Sequence, residues 1–148
     1  MMSRIKNTKK SEKGQSMVEL AISIVVLLLL LAGIADLGRM FFYYIGMRDS
    51  AQEGVVYGIT EPAQCQEIVD RAVSLLNDPD GVQIAVTVNG VDCASATAAD
   101  ACSGNALWVT VTDPNFNISM PFLGTILGRQ HIQLEADVSG TILRPACP

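Results

Sequence analysis

The chain has 148 residues, enough for one small domain and an anchor but not for two full domains. Its net charge of −5 hides a split: Arg4, Lys6, Lys9, Lys10 and Lys13 face only Glu12 in the first 14 residues, net +4. From Gln15 on, five arginines face fourteen acids, net −9, which excludes a nucleic-acid-binding body.

Between the basic tail and the acidic body lies a hydrophobic bar. Leu20 to Ala35 is free of charge and includes the run Ile24-Val25-Val26-Leu27-Leu28-Leu29-Leu30-Leu31. At helical rise its sixteen residues cover about 24 Å, and Met17-Val18 extend it towards the thickness of a bilayer core. Positive charge before it and acid after it predict a single span with the N-terminus cytoplasmic and the remainder extracytoplasmic.

Three readings fit this N-terminus. A secretory signal would end at a small-residue cleavage site, and cleavage at Ala35 is conceivable. The helical pattern nevertheless runs on through Met40, Phe41, Phe42, Tyr43, Tyr44, Ile45 and Met47 towards Gly58. A plain anchor explains the apolar run but not Glu19, an acid one turn inside it, which costs a few kcal/mol at depth and less at the interface. The third reading is a leader cut after Gly14. Gln15 is then the new N-terminus, and its amine lies about one turn from the Glu19 carboxylate, where the two neutralise each other or pair between subunits. The bland alternative leaves Glu19 idle at headgroup level.

The stretch Lys13-Gly14-Gln15-Ser16-Met17-Val18-Glu19-Leu20 resembles the processing site of type IV prepilins. Gly33-Ile34-Ala35-Asp36-Leu37-Gly38-Arg39-Met40-Phe41 and Ala51-Gln52-Glu53-Gly54-Val55-Val56-Tyr57-Gly58 are similar to the TadE-like family of the tight adherence (Tad) pilus. The likeness covers residues 13–58. It departs from the family habit at Gln52, where Arg is common, and at Leu20, where Phe is frequent. The resemblance implies a minor pilin or pseudopilin in the cytoplasmic membrane, cleaved between Gly14 and Gln15 by a prepilin peptidase. It also implies contacts with other pilin subunits, the inner-membrane assembly platform and membrane lipid. A pseudopilin of a type II-like secretion system, and an unprocessed bitopic scaffold or sensor, are the alternatives.

Asp36 and Arg39, at i and i+3, form a second candidate assembly pair beside Glu19, or else mark where the helix leaves the membrane. Phe41, Phe42, Tyr43 and Tyr44 suit an interfacial aromatic belt. From Tyr44 to Gly58 the pattern becomes amphipathic, with Ile45, Met47, Ala51, Val55 and Val56 forming a stripe to pack on a head. The predicted organisation is a leader at 1–14, a helix at 15–58 (anchor about 17–38, then an amphipathic stalk) and an α+β head at 59–148.

Within the head, a helix is expected from Pro62 to Asn77, ended by Asp78-Pro79-Asp80-Gly81. Val82 to Val88 alternates as a strand and stops at Asn89-Gly90; Leu107 to Thr112 alternates likewise and stops at Asp113-Pro114-Asn115. His131 to Val138 with Gly140 to Leu143 makes a longer strand bent near Ser139-Gly140, and Met120 to Leu127 a short helix. A three- to four-stranded antiparallel sheet would cover the upper part of the first helix.

All four cysteines follow the bar and suit disulfides in an oxidising compartment, with free buried thiols as the alternative. Cys93 with Cys102 looks like a local bridge around a small-residue loop, which leaves Cys65 for Cys147. That loop, Val91 to Asn105, is either solvated or a contact surface. A lone histidine, His131, and the lack of a C-x-x-C pair argue against zinc. Asp78-x-Asp80-Gly81 lacks the later Glu of a calcium loop, and Asn117-Ile118-Ser119 is a glycosylation sequon in form only. No nucleophile motif or phosphate loop is present, so neither an enzyme nor a cofactor is expected.

Overall fold

In the computed structural model, residues 13–76, 78–118, 128 and 130–147 are described. The chain divides into two compact units, Met1–Ala35 and Asp36–Pro148. Helix α1 runs from Lys13 to Gly58 and α2 from Cys65 to Val73. Strands β1 (Gln83–Val88), β2 (Val91–Asp92), β3 (Ala106–Asn117) and β4 (His131–Thr141) follow, with a 3-10 turn at Cys93–Ser95. The four strands form one antiparallel sheet in the order β2-β1-β3-β4. The architecture is α+β and pilin-like, with a long apolar N-terminal helix, a short second helix and one sheet.

Within the second unit, the core forms between α1, α2 and one face of the sheet. Met47, Ala51 and Val55 of α1 meet Ile68 and Ala72 of α2, and below them lie Val86, Val88, Leu107, Val109, Val111 and Ala136. The period-2 alternation of β1 and β3 supplies these strand residues, so the sequence pattern directly determines the buried face. Gly54 marks where α2 crosses α1: a Cβ there would stand 3.3 Å from the Ala72 Cβ and from the Ile68 carbonyl. Nearby, the fully buried Ser50 donates its hydroxyl to the Ala72 carbonyl at 2.6 Å. A polar side chain inside the core thus satisfies a carbonyl at the end of α2, whose backbone donor, the Leu75 N–H, makes only a long 3.5 Å contact.

Four local expectations are corrected. The second helix is shorter than Pro62 to Asn77. The Ser74 hydroxyl takes up the Arg71 carbonyl at 2.7 Å, and the chain tightens into a turn with Leu76 N–H on the Val73 carbonyl at 3.0 Å. Strand β3 does not stop at Asp113-Pro114-Asn115; it runs to Asn117, with its register shifting between Asp113 and Phe116. Proline lacks an N–H for the ladder, and a bulge is where a strand tolerates it. Strand β4 is continuous through Ser139-Gly140, and the chain leaves it at Ile142. Asn89 and Gly90, both at positive φ, fold the chain back into the two-residue β2, a strand that no alternation after the turn predicts. The expected Met120–Leu127 helix lies outside the described residues.

The disulfide expectation is also corrected. Cys65 pairs with Cys93 and Cys102 with Cys147, at Cα–Cα distances of 5.8 and 4.8 Å. The 3-10 turn brings the Cys93 sulfur to 3.6 Å from the Pro62 carbonyl, beside the start of α2 and hence beside Cys65. Cys102 instead lies along the C-terminal tail: Ser103 N–H donates to Pro145, Gly104 N–H to Ile142, and Ile142 N–H to Asn105. The loop is therefore stitched at its two ends to different segments. Between the stitches, Asp100 accepts from the Thr97 hydroxyl at 2.6 Å, the Thr97 N–H at 2.9 Å and Asn89 at 3.2 Å. These bonds hold its carboxyl below the usual range, led by the one from the Thr97 hydroxyl.

Candidate anchor and processing site

In the first unit, α1 carries the whole apolar run with its side chains exposed. Leu20, Ile22, Ile24, Val25, Leu27, Leu28 and Leu30 are each about half or more accessible. A helix apolar all round and not covered by its own chain belongs in lipid or among other helices. Among the described residues it is the one helix long and apolar enough to cross a membrane. The N-terminal part of α1 reads as a single-pass membrane anchor.

The expected processing residues sit in its first turns. Gly14 is exposed, and a Cβ built on it would meet nothing within 4 Å. Nothing in the packing therefore demands glycine there, in contrast to Gly54. Gln15 donates through its side-chain amide to Glu19 at 3.3 Å, the i, i+4 contact that the helix dictates. The structure thus places Gln15 and Glu19 together, with Glu19 exposed at the head of the charge-free run.

In the second unit, α1 continues as Asp36, Leu37, Gly38 and Arg39. The Arg39 guanidinium lies over the Phe116 ring, 5.2 Å from its centroid, and the Tyr43 ring packs on the same phenyl at 5.1 Å. Arg39 and Tyr43 are one turn apart, so one β3 side chain serves both. Such an Arg–aromatic contact contributes about 0.5–1 kcal/mol at an exposed site. Of the four aromatics expected at the interface, Phe41 and Phe42 are well exposed and Tyr44 partly so, whereas Tyr43 turns onto the head. Phe116 was missed from sequence because it follows Pro114 in what read as a turn. Its signal is a large apolar residue between Asn115 and Asn117, where a solvated turn has no use for one.

Tyr43 is the most perturbed titrating group of this cluster. Burial, a hydrogen bond to Asp113, and the charges of Asp113 and Asp78 push its phenol up to about 12. The ordinary phenol value is about 10, so the folded state holds this proton more tightly than the unfolded state. Stability is unaffected below pH ~10 and is lost as pH rises from there through ~12. Tyr43→Phe is expected to flatten that alkaline loss, as read by urea unfolding at pH 9 and pH 11. An unchanged slope would rule out Tyr43 as its source.

The described residues hold no group of three or more His, Cys, Asp or Glu placed for a metal ion. Asp36 and Arg39 stand about one turn apart on α1 within the second unit, whereas Glu19 belongs to the first. No curated protein and no solved structure matches the chain. Residues 14–55 match the family model described as TadE-like protein, so α1 from the first residue of the match to Val55 is a TadE-like segment.

Proposed function

We propose that this chain is a minor pilin or pseudopilin of a Tad-type adhesion pilus. A prepilin peptidase cuts it between Gly14 and Gln15, and it then assembles by packing its N-terminal helix against those of other pilin subunits. The TadE-like match supports an association with pilus components. The observation that carries the finer reading is Glu19, the acid immediately before the charge-free run of α1, whose apolar side chains are exposed. Removal of the leader places an amine on Gln15, whose side chain already reaches Glu19 at 3.3 Å. An ammonium and a carboxylate so placed neutralise each other, or one helix start pairs with the next, which lowers the cost of holding either in an apolar bundle. Asp36 and Arg39 lie where the helix passes from the apolar run into the head, and they serve as the second polar register mark between subunits.

Before assembly the chain rests in the cytoplasmic membrane with its N-terminus inside and its acidic head outside. The inner-membrane platform draws it from there into the fibre. The test is Glu19→Ala in the native cell, with the leader site intact. Cleavage is expected to continue while the yield of sheared pili falls at least tenfold. A normal pilus yield from cleaved Glu19→Ala would overturn the assembly role.

A further inference from the structure

The outer face of the sheet carries the chain's one tryptophan, paired across the strands with short side chains. Trp108 is 41 % exposed while Leu107 and Val109, its neighbours along β3, are fully buried, so the indole stands on the face away from the core. Its cross-strand partners are Thr87 on β1 and Ser139 on β4. Paired residues have Cβ atoms about 4.5–5.5 Å apart, and neither partner is long enough to cover an indole. Thr110, two residues along the strand, is no larger. On β4 the next outward residue is Asp137, opposite Thr110, followed by Glu135, opposite Thr112; both acids are exposed. Asp137 is diagonal to Trp108, with Cβ atoms about 7–8 Å apart. The four strands contain no lysine or arginine.

We propose that this face binds amine-bearing sugar residues of a polysaccharide. The apolar C–H face of the pyranose ring lies on the indole. The ammonium sits between the indole and the Asp137 carboxylate, where a cation–π contact and a charge-assisted hydrogen bond act together. The hydroxyls of Thr87 and Ser139 meet those of the sugar. Charge complementarity requires a cationic occupant. A second copy of the chain is disfavoured, because it would bring the same acidic face and a body of net charge −9 from Gln15 on. A basic protein segment fits less well: an aromatic anchor in a protein interface is ringed by groups that shut out water, whereas Trp108 is surrounded by short hydroxyl side chains. The site lies outside the helix that carries the assembly reading and does not depend on it.

The test uses the full chain, extracted from its native membranes into detergent, titrated with a glucosamine hexamer. Trp108 is the sole indole, so its emission reports the site directly. A saturable change with half-effect on the order of 1 mM is expected, the range for one stacking contact and one ion pair. Asp137→Asn is expected to weaken the hexamer at least fivefold while leaving an N-acetylglucosamine hexamer unaltered. Trp108→Ala, with its folding checked by circular dichroism, is expected to abolish binding as read by line broadening of the sugar's proton resonances; Trp108→Phe should retain part of it. An emission unchanged up to about 20 mM hexamer (well past that range), or a Trp108→Ala chain that binds normally, would overturn the proposal. So would a hexalysine peptide that matches the sugar at equal concentration, which would assign the face to a basic protein partner.

Discussion

Replacing Cys65 and Cys93 together by serine is expected to lower the unfolding free energy of the head by about 3–4 kcal/mol, the chain-entropy value for cross-linking residues 28 apart. For a domain of this size the midpoint of thermal unfolding would fall on the order of 15–25 °C. The effect is large because the head has a thin core, and because this bridge ties the start of α2 to the end of the β1–β2 hairpin. The check is thermal unfolding of the solubilised chain followed by Trp108 emission, beside disulfide mapping of the parent. Peptides linked Cys65–Cys93 and Cys102–Cys147 are expected. A Cys93–Cys102 peptide would restore the local bridge and contradict the stitched loop.

Gly140→Val is expected to cost about 3 kcal/mol, at the upper end for forced overpacking of a core. A Cβ there would stand 2.6 Å from Val55 Cγ1 and 2.8 Å from Ile59 Cγ2, and valine adds two methyls beyond it. Relief is hard to find. β4 is held opposite Leu107 on β3, and Leu143 N–H is tied to the Ile59 carbonyl at 2.8 Å. Gly46→Ala is the control: nothing lies within 4 Å of its Cβ, so the better helix former should leave stability equal or slightly raised. Equal urea midpoints for Gly140→Val and the parent would mean that α1 does not press on β4 as described.

The helix, the sheet and the core face were legible because each rests on periodicity. The charge-free run, the alternation of Val86 and Val88 with Ala85 and Thr87, and the Asn89-Gly90 turn all carry their physics within a few residues. The disulfide pairing was not legible, because closeness along the chain does not determine closeness in space. Whether Cys93 meets Cys65 or Cys102 depends on where the 3-10 turn and the C-terminal tail pass, and both are set by tertiary contacts. Pro114 misled for the same reason: its missing N–H is a defect inside a regular ladder but harmless at a bulge, and only the β4 register reveals the bulge. For the candidate site, Gln15 and Glu19 were legible from helical spacing alone. The seat of Arg39 and Tyr43 on Phe116 was not, since their partner is more than seventy positions away.

The central claim, cleavage between Gly14 and Gln15, is tested most directly by the intact mass and N-terminal sequence of the protein from its native membranes. A chain that begins at Gln15, and that keeps residues 1–14 when Gly14 is replaced by alanine, is the predicted result. A parent chain that retains its basic leader, or one that begins beyond Ala35, would contradict it.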